Sequence, residues 1–285
     1  DGVMETADDS ALFQSWGSIT IINPLEKIWN GYSDTRMGAS MDSYLNGYND
    51  PRLPVYFQPV TEGDNKGEYR GVANGMPNPQ QDDYKAMSAP NVQEKSTDSP
   101  LRWMMASEVA FLRAEGAMRG WTAEMGGTAE EFYNKGIELS FLENGLSADA
   151  AARYAADETS KPTDFTDVSA ANTKYNISAL GKITIKWNAG ASEEEQLERI
   201  ITQKWIAMFP NGTEAWSEFR RTGYPLIFPV RSNYPTSGVD TNKQIRRMVF
   251  PQSEYSNNGA AVQEAVKLLG GPDNGGTKLW WDKKN

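Results

Sequence analysis

The 285-residue chain contains no cysteine and no histidine. Without an imidazole, neither Ser-His-Asp nor Cys-His catalysis is available. Zinc sites built from His and Cys are excluded for the same reason, as are disulfides, iron–sulfur clusters and thiolate-bound haem. No apolar run approaches the ~20 residues that a membrane-spanning helix needs. The phosphate-cradling patterns G-x-x-x-x-G-K-[ST] and G-x-G-x-x-G are missing, and so is the oxygen-rich loop of an EF-hand. Asp8-Asp9, Asp240 and Asp273 read as solvated loop carboxylates, so no metal and no cofactor is expected. Positive charge is scarce: 28 Lys and Arg against 38 Asp and Glu leave a formal charge of −10. With a pI near 4.7, the chain has no bulk attraction for nucleic acid. Arg246-Arg247 and Lys283-Lys284 read as ordinary surface pairs.

Aromatic residues, by contrast, are abundant, with nine Trp, 12 Tyr and 10 Phe in a chain of mean hydropathy −0.62. Such rings cover apolar ligand surface at low entropic cost. Residues 1–100 show little helical periodicity and are broken by Asn23-Pro24, Asp50-Pro51, Gln58-Pro59, Met76-Pro77 and Ser99-Pro100. Only Leu25 to Asn30 and Ser40 to Leu45 suggest short helices. The aromatics of this stretch, Trp16, Trp29, Tyr44, Tyr48 and Tyr56 among them, argue for packing rather than disorder. They are expected to pack over something large, including chain outside this sequence.

Residues 101–120 carry Met104, Met105, Val109 and Leu112 at helical spacing. Thr128-x-x-Glu131 is a capping box that opens a second helix, closed by Asn144-Gly145. Ser147 caps a third, Ala148 to Ala156. The pattern Ala129-x-x-Phe132-Tyr133-x-x-Gly136 resembles a tetratricopeptide hairpin. Residues 157–191 form a polar connection with one strand-like alternation, Lys182 to Trp187. Ser192-x-x-Glu195 is a second capping box, opening a helix that Pro210 stops. Thr213 is expected to cap Glu214 to Arg221, Met248 to Phe250 to form a short strand, and Gly259 to Leu269 to form a last helix. Trp103, Trp205 and Trp216 are expected in the core, and Trp280-Trp281 to anchor a tail by its rings. The fold class is mainly α with minor β: a tetratricopeptide-like helical hairpin with a loop-rich, ligand-facing region. Three parts are delimited. Residues 1–100 form the loop-rich part, expected to face a ligand or a transporter, 101–156 the hairpin helices and 157–285 a C-terminal helical module, all parts of one fold.

Two carboxylate pairs have spacings compatible with glycoside hydrolysis, Glu108 with Glu115 and Glu214 with Glu218. Carboxylates at helical spacing more often form structural ion pairs, and the reading is of a protein without catalytic residues. A third reading is a scaffold for a protein partner. Sugars need a flat ring against their C–H face and amides or charges for their hydroxyls. Loop aromatics flanked by such groups single out Trp16, Trp29, Asn30, Tyr32 and Trp187 as candidate ligand-binding residues.

Several blocks occur in an order that resembles the SusD-like (SusD/RagB) family of outer-membrane nutrient-binding lipoproteins. They run from Ser43-Tyr44-Leu45 and Asp50-Pro51-Arg52-Leu53, through Ala106 to Trp121 and Ala129 to Ile137, to Gln203-Lys204-Trp205-Ile206-Ala207. Glu214-Ala215-Trp216, Arg220 to Pro225, Arg246-Arg247, Pro251 to Tyr255 and Leu279 to Asp282 follow. The resemblance covers nearly the whole chain and the C-terminal part of the family. It implies a non-catalytic surface protein that binds glycans or oligosaccharides, or in some members peptides. The implied partner is a SusC-like TonB-dependent transporter, over which the binder closes as a lid. It also implies lipid anchoring at the outer membrane through a Cys upstream of Asp1. No shared motif maps ligand-contacting rings onto this chain.

Overall fold

The computed structural model describes residues 2–21, 23–76, 80–91, 99–234 and 237–284. Among them, the helices of eight residues or more are α1 (Ala39–Gly47), α2 (Ala106–Met118), α3 (Ala129–Leu142), α4 (Ala148–Ala155), α5 (Glu193–Ala207), α6 (Gly212–Thr222) and α7 (Gln252–Leu269). One two-stranded antiparallel ribbon joins β1 (Ala11–Phe13) to β2 (Leu101–Met104), with Phe13 opposite Leu101. The architecture is mainly helical with minor β.

The capping box at α3 closes in both directions. Glu131 N–H donates to the Thr128 hydroxyl at 3.2 Å, and Thr128 N–H donates to the Glu131 carboxylate at 2.7 Å. This satisfies donors that a helix start leaves orphaned. α2 and α3 form the hairpin, and Gly136 permits their close approach: a Cβ there would lie 2.7 Å from the Phe111 ring. Phe111, Tyr133, Ile137 and Phe141 from this hairpin enter one core with Leu197, Ile200 and Ile206 of α5. The same core takes in Met37, Tyr44, Leu45, Tyr48, Leu53 and Tyr56, so the loop-rich segment packs onto this chain's own helices. Gly47 lies against the Lys161–Thr163 backbone, where any side chain would collide.

At the centre sits Arg52, fully buried with Asp50. Its guanidinium donates to Asp50 at 2.7 and 2.9 Å, to Ser140 Oγ at 2.9 Å, and to Gln203 Oε1 at 3.1 Å. It thereby ties the loop-rich segment to α3 and α5. Burial works against its charge, and the Asp50 carboxylate outweighs that cost and holds the guanidinium protonated.

Several sequence expectations are corrected. Residues 101–104 are strand, because β1 supplies a pairing partner, and helix begins only at Ala106. Trp103 is therefore on the ribbon and 74% exposed rather than in the core. Lys182 to Trp187 alternates in burial as a strand would, yet pairs with none. Its carbonyls accept instead from side chains: Tyr48 OH to Ile183 O, Tyr133 OH to Ile185 O and Arg199 Nε to Lys186 O. Asn211, not Thr213, caps α6, accepting from Glu214 N–H at 3.3 Å. At α5, Ser192 does cap, but the Glu195 side chain turns to Arg199 instead of back to the cap. Residues 248–250 form no strand. α7 starts earlier than expected, with a kink at Asn258, and ends at left-handed Gly270. Arg246 and Arg247 are buried ion-pair partners of Asp282 and Asp273, not surface charge. The tail is held by that Asp282 pair and by the Trp281 ring, over which the Arg220 guanidinium lies at 5.1 Å, while Trp280 is exposed.

Candidate functional site

Asn23 accepts from Leu25 N–H at 3.0 Å and starts a helical turn at Pro24–Glu26. A single π-helical turn, Lys27–Gly31, continues it. π-turns are rare and recur at functional sites. Two adjoining cavities flank this element and share Leu25 and Pro210 as a common wall.

The smaller, about 340 Å³, is walled by Trp29, Phe57, Trp205 and Phe209 together with Arg36 and Asn74. Trp29 lies parallel to Phe209, with planes 9° apart and centroids at 6.2 Å. Tyr56 and Phe57 hold the same Phe209 ring at 4.8 and 4.9 Å. The larger cavity, about 550 Å³, is lined by the amides of Asn23, Asn91, Asn144 and Asn211, with Arg102 and Glu143. Arg102 donates to Asn144 Oδ1 at 3.0 Å, Asn144 donates to Ser140 O at 2.7 Å, and Asn91 donates to Pro54 O at 3.0 Å. These bonds orient the Asn91 and Asn144 amides. Arg36 is spent on carbonyls of Ser33, Thr35, Tyr84 and Lys85. An aromatic chamber beside an amide-lined one is the division of labour that binding a sugar ring requires.

Of the sequence candidates, Trp29 walls the aromatic chamber, though it is 9% exposed and offers the cavity only part of its ring. The Asn30 side chain lies outside the described residues. Tyr32 follows the π-turn and is exposed, and Trp16 is 81% exposed on a tight turn bridged by Trp16 and Ile19. Neither belongs to the wall of either chamber. Trp187 is elsewhere. It is 8% exposed, packs on Tyr133 at 5.2 Å and borders a separate cavity of about 770 Å³ beside α3 and α4. Sequence reasoning missed Phe57, Asn91, Asn144, Trp205, Phe209 and Asn211. Asn144 and Pro210 were legible only as helix stops, and nothing local reveals that their side chains share a wall.

The paired carboxylates bind cations of the fold. Lys204, almost fully buried, lies 3.6 Å from Glu108, 3.3 Å from Glu214 and 3.5 Å from Glu218. Burial pushes the Glu108 carboxyl above its ordinary range, with Lys204 opposing and Glu214 and Glu218 reinforcing the rise. Glu115 accepts from Arg221 at 2.6 Å and Arg119 at 2.7 Å. Burial would raise it, but these guanidiniums outweigh burial and hold it low. The two pairs therefore form one ion-pair network joining α2, α5 and α6. Among the described residues no group of three or more His, Cys, Asp or Glu is placed to hold a metal ion. No helix among them is long and apolar enough to cross a membrane.

The mainly helical fold that carries this cleft has counterparts among known proteins. Residues 1–282 match the family described as SusD-like, Susd and RagB outer membrane lipoprotein, and the chain belongs to it. A SusD homologue from Bacteroides vulgatus is 38% identical, with TM-score 0.90 over 100% of this chain and 56% of its own. A chitin-binding SusD homologue from Flavobacterium johnsoniae is 42% identical, with TM-score 0.89 over 100% of this chain and 56% of its own. A SusD-like protein from Bacteroides thetaiotaomicron is 42% identical, with TM-score 0.89 over 100% and 57%. The chain thus spans little more than half the length of these structures. No curated protein matches it.

Proposed function

We propose that this chain forms the glycan-holding part of a non-catalytic outer-membrane binder that delivers oligosaccharides to a SusC-like TonB-dependent transporter. The observation that carries the reading is the cleft around Pro24–Gly31, where the Trp29 and Phe209 chamber adjoins the amide-lined one. Family membership and the chitin-binding relative support it. On this reading, the protein is held at the cell surface by a lipid on a Cys outside this sequence. Peptides are the second ligand class to test, since an amide-lined wall also suits a peptide backbone.

The test is titration of intrinsic tryptophan fluorescence with chito-, malto- and cello-oligosaccharides and with short peptides. Saturable binding of one glycan series, weakened by Trp29→Phe and Asn91→Ala in folded variants, is expected, with no shortened product after prolonged incubation. Binding of peptides alone, or any enzyme-dependent product, overturns the reading. Delivery is tested by co-purification of the whole protein from detergent-solubilised membranes, with a barrel transporter as the expected partner.

A further inference from the structure

Two guanidiniums line the cleft, and the fold treats them differently. Arg36, in the aromatic chamber, donates from Nε, Nη1 and Nη2 to four main-chain carbonyls and has little left for a ligand. Arg102, in the amide-lined chamber, bonds through Nη2 alone. It donates to Asn144 Oδ1 at 3.0 Å and to the main-chain carbonyl of Glu143 at 3.4 Å. Among the described residues, the Arg102 Nε and Nη1 groups have no acceptor, and no carboxylate pairs with the guanidinium.

One carboxylate does share this wall, and it is committed elsewhere. Glu143 accepts from the Ser10 hydroxyl at 3.0 Å, from Ser107 N–H at 2.9 Å and from the Ser107 hydroxyl at 2.6 Å. Both of its oxygens are occupied, at the first turn of α2, where the helix dipole favours negative charge. Arg102 reaches the main chain of Glu143 and not its side chain. The other polar groups of the wall are uncharged amides and the Ser99 segment. Among the described residues of this wall, Arg102 therefore carries the one charge that its neighbours do not offset, in a protein whose net charge is −10. A neutral ligand closing over it would strip its water and return no counter-charge. A carboxylate returns one, through charge-assisted hydrogen bonds to the N–H groups still open.

We infer that Arg102 makes this cleft a site for acidic oligosaccharides, with the carboxylate of a uronic acid unit seated on its guanidinium. This rests on the glycan reading of the cleft and narrows it to a chemical class. Rings and amides hold the chain, and the acidic unit adds the charged contact.

The test is isothermal titration of the whole protein with matched pairs of cello- and malto-oligosaccharides. The two members of a pair are identical, except that one unit of the acidic member carries a carboxylate at C6 in place of the hydroxymethyl group. Wild type is expected to bind the acidic member roughly tenfold tighter, the scale of one hydrogen bond to a charged group. Arg102→Gln, which keeps an amide donor for Asn144, is expected to bring the two members to equal affinity. Arg102→Lys keeps the charge and is expected to keep a reduced preference. Equal binding of both members by wild type refutes the inference without recourse to any variant, and the cleft reading stands if Trp29→Phe weakens both. An acid preference that survives in folded Arg102→Gln also refutes it, because another cation then reads the charge. If no chain of either kind binds wild type, the cleft reading and the inference fall together.

Discussion

Replacing Arg52 by Met tests the central organising claim of this fold. The guanidinium and the Asp50 carboxylate are both fully buried, 2.7 Å apart. Met keeps the apolar stem but removes every donor and the guanidinium that lies over the Phe141 and Tyr154 rings. Asp50 is then a buried, unpaired charge, and breaking such a pair from one side costs about 3–5 kcal/mol. Ser140 Oγ and Gln203 Oε1 each lose a charged donor, and the buried groups left behind add about 1 kcal/mol apiece. A total of roughly 5–7 kcal/mol is comparable with the whole stability of many domains. Urea unfolding followed by far-ultraviolet circular dichroism reads it as a fall in midpoint at constant slope. Asp50→Asn combined with Arg52→Met removes both charges, so the double variant is expected to be more stable than Arg52→Met alone. A cost below about 1 kcal/mol for Arg52→Met, or a double variant whose loss equals the sum of the singles, refutes the coupling.

Two further predictions concern the hairpin and its ion network. Gly136→Ala places a Cβ 2.7 Å from the Phe111 ring. It is expected to cost about 1–3 kcal/mol by overpacking despite the better helix propensity of Ala, and an unchanged or raised melting temperature would contradict the close helix approach. Glu115→Gln breaks the contacts to Arg119 and Arg221, which are themselves 42% and 37% exposed, so screening limits the loss at neutral pH to about 1–2 kcal/mol. The Glu115 carboxyl is held below its unfolded value of 4.5, so its contribution is present above that pH and disappears as pH falls through the lower folded value. Wild type and Glu115→Gln should therefore converge in stability below pH 4.5, and a gap that stays constant down to pH 2 would show that Glu115 does not carry it.

Local chemistry settled much of this molecule in advance. Thr128, Ser147 and Ser192 mark three helix starts because capping is a contact between residues three apart, and the structure places all three there. The missing His and Cys exclude whole classes of catalysis whatever the fold. The ordered blocks from Ser43 to Asp282 identify the family because they include structural keystones such as Arg52, Arg246 and Asp282, which bond to residues far away in sequence. Tertiary structure alone decided what depends on those distant partners. Leu101 to Met104 became strand because Ala11 to Phe13 lies alongside. Lys182 to Trp187 stayed unpaired because tyrosine hydroxyls and an arginine took its carbonyls. The same holds for the rings. A Trp reads alike in sequence whether it is packed on Tyr133, as Trp187 is, or stands in solvent, as Trp103 does. The cleft joins residues as far apart as Asn23 and Asn211, and no local pattern encodes a juxtaposition that only the packing of α3, α5 and α6 against the first hundred residues creates.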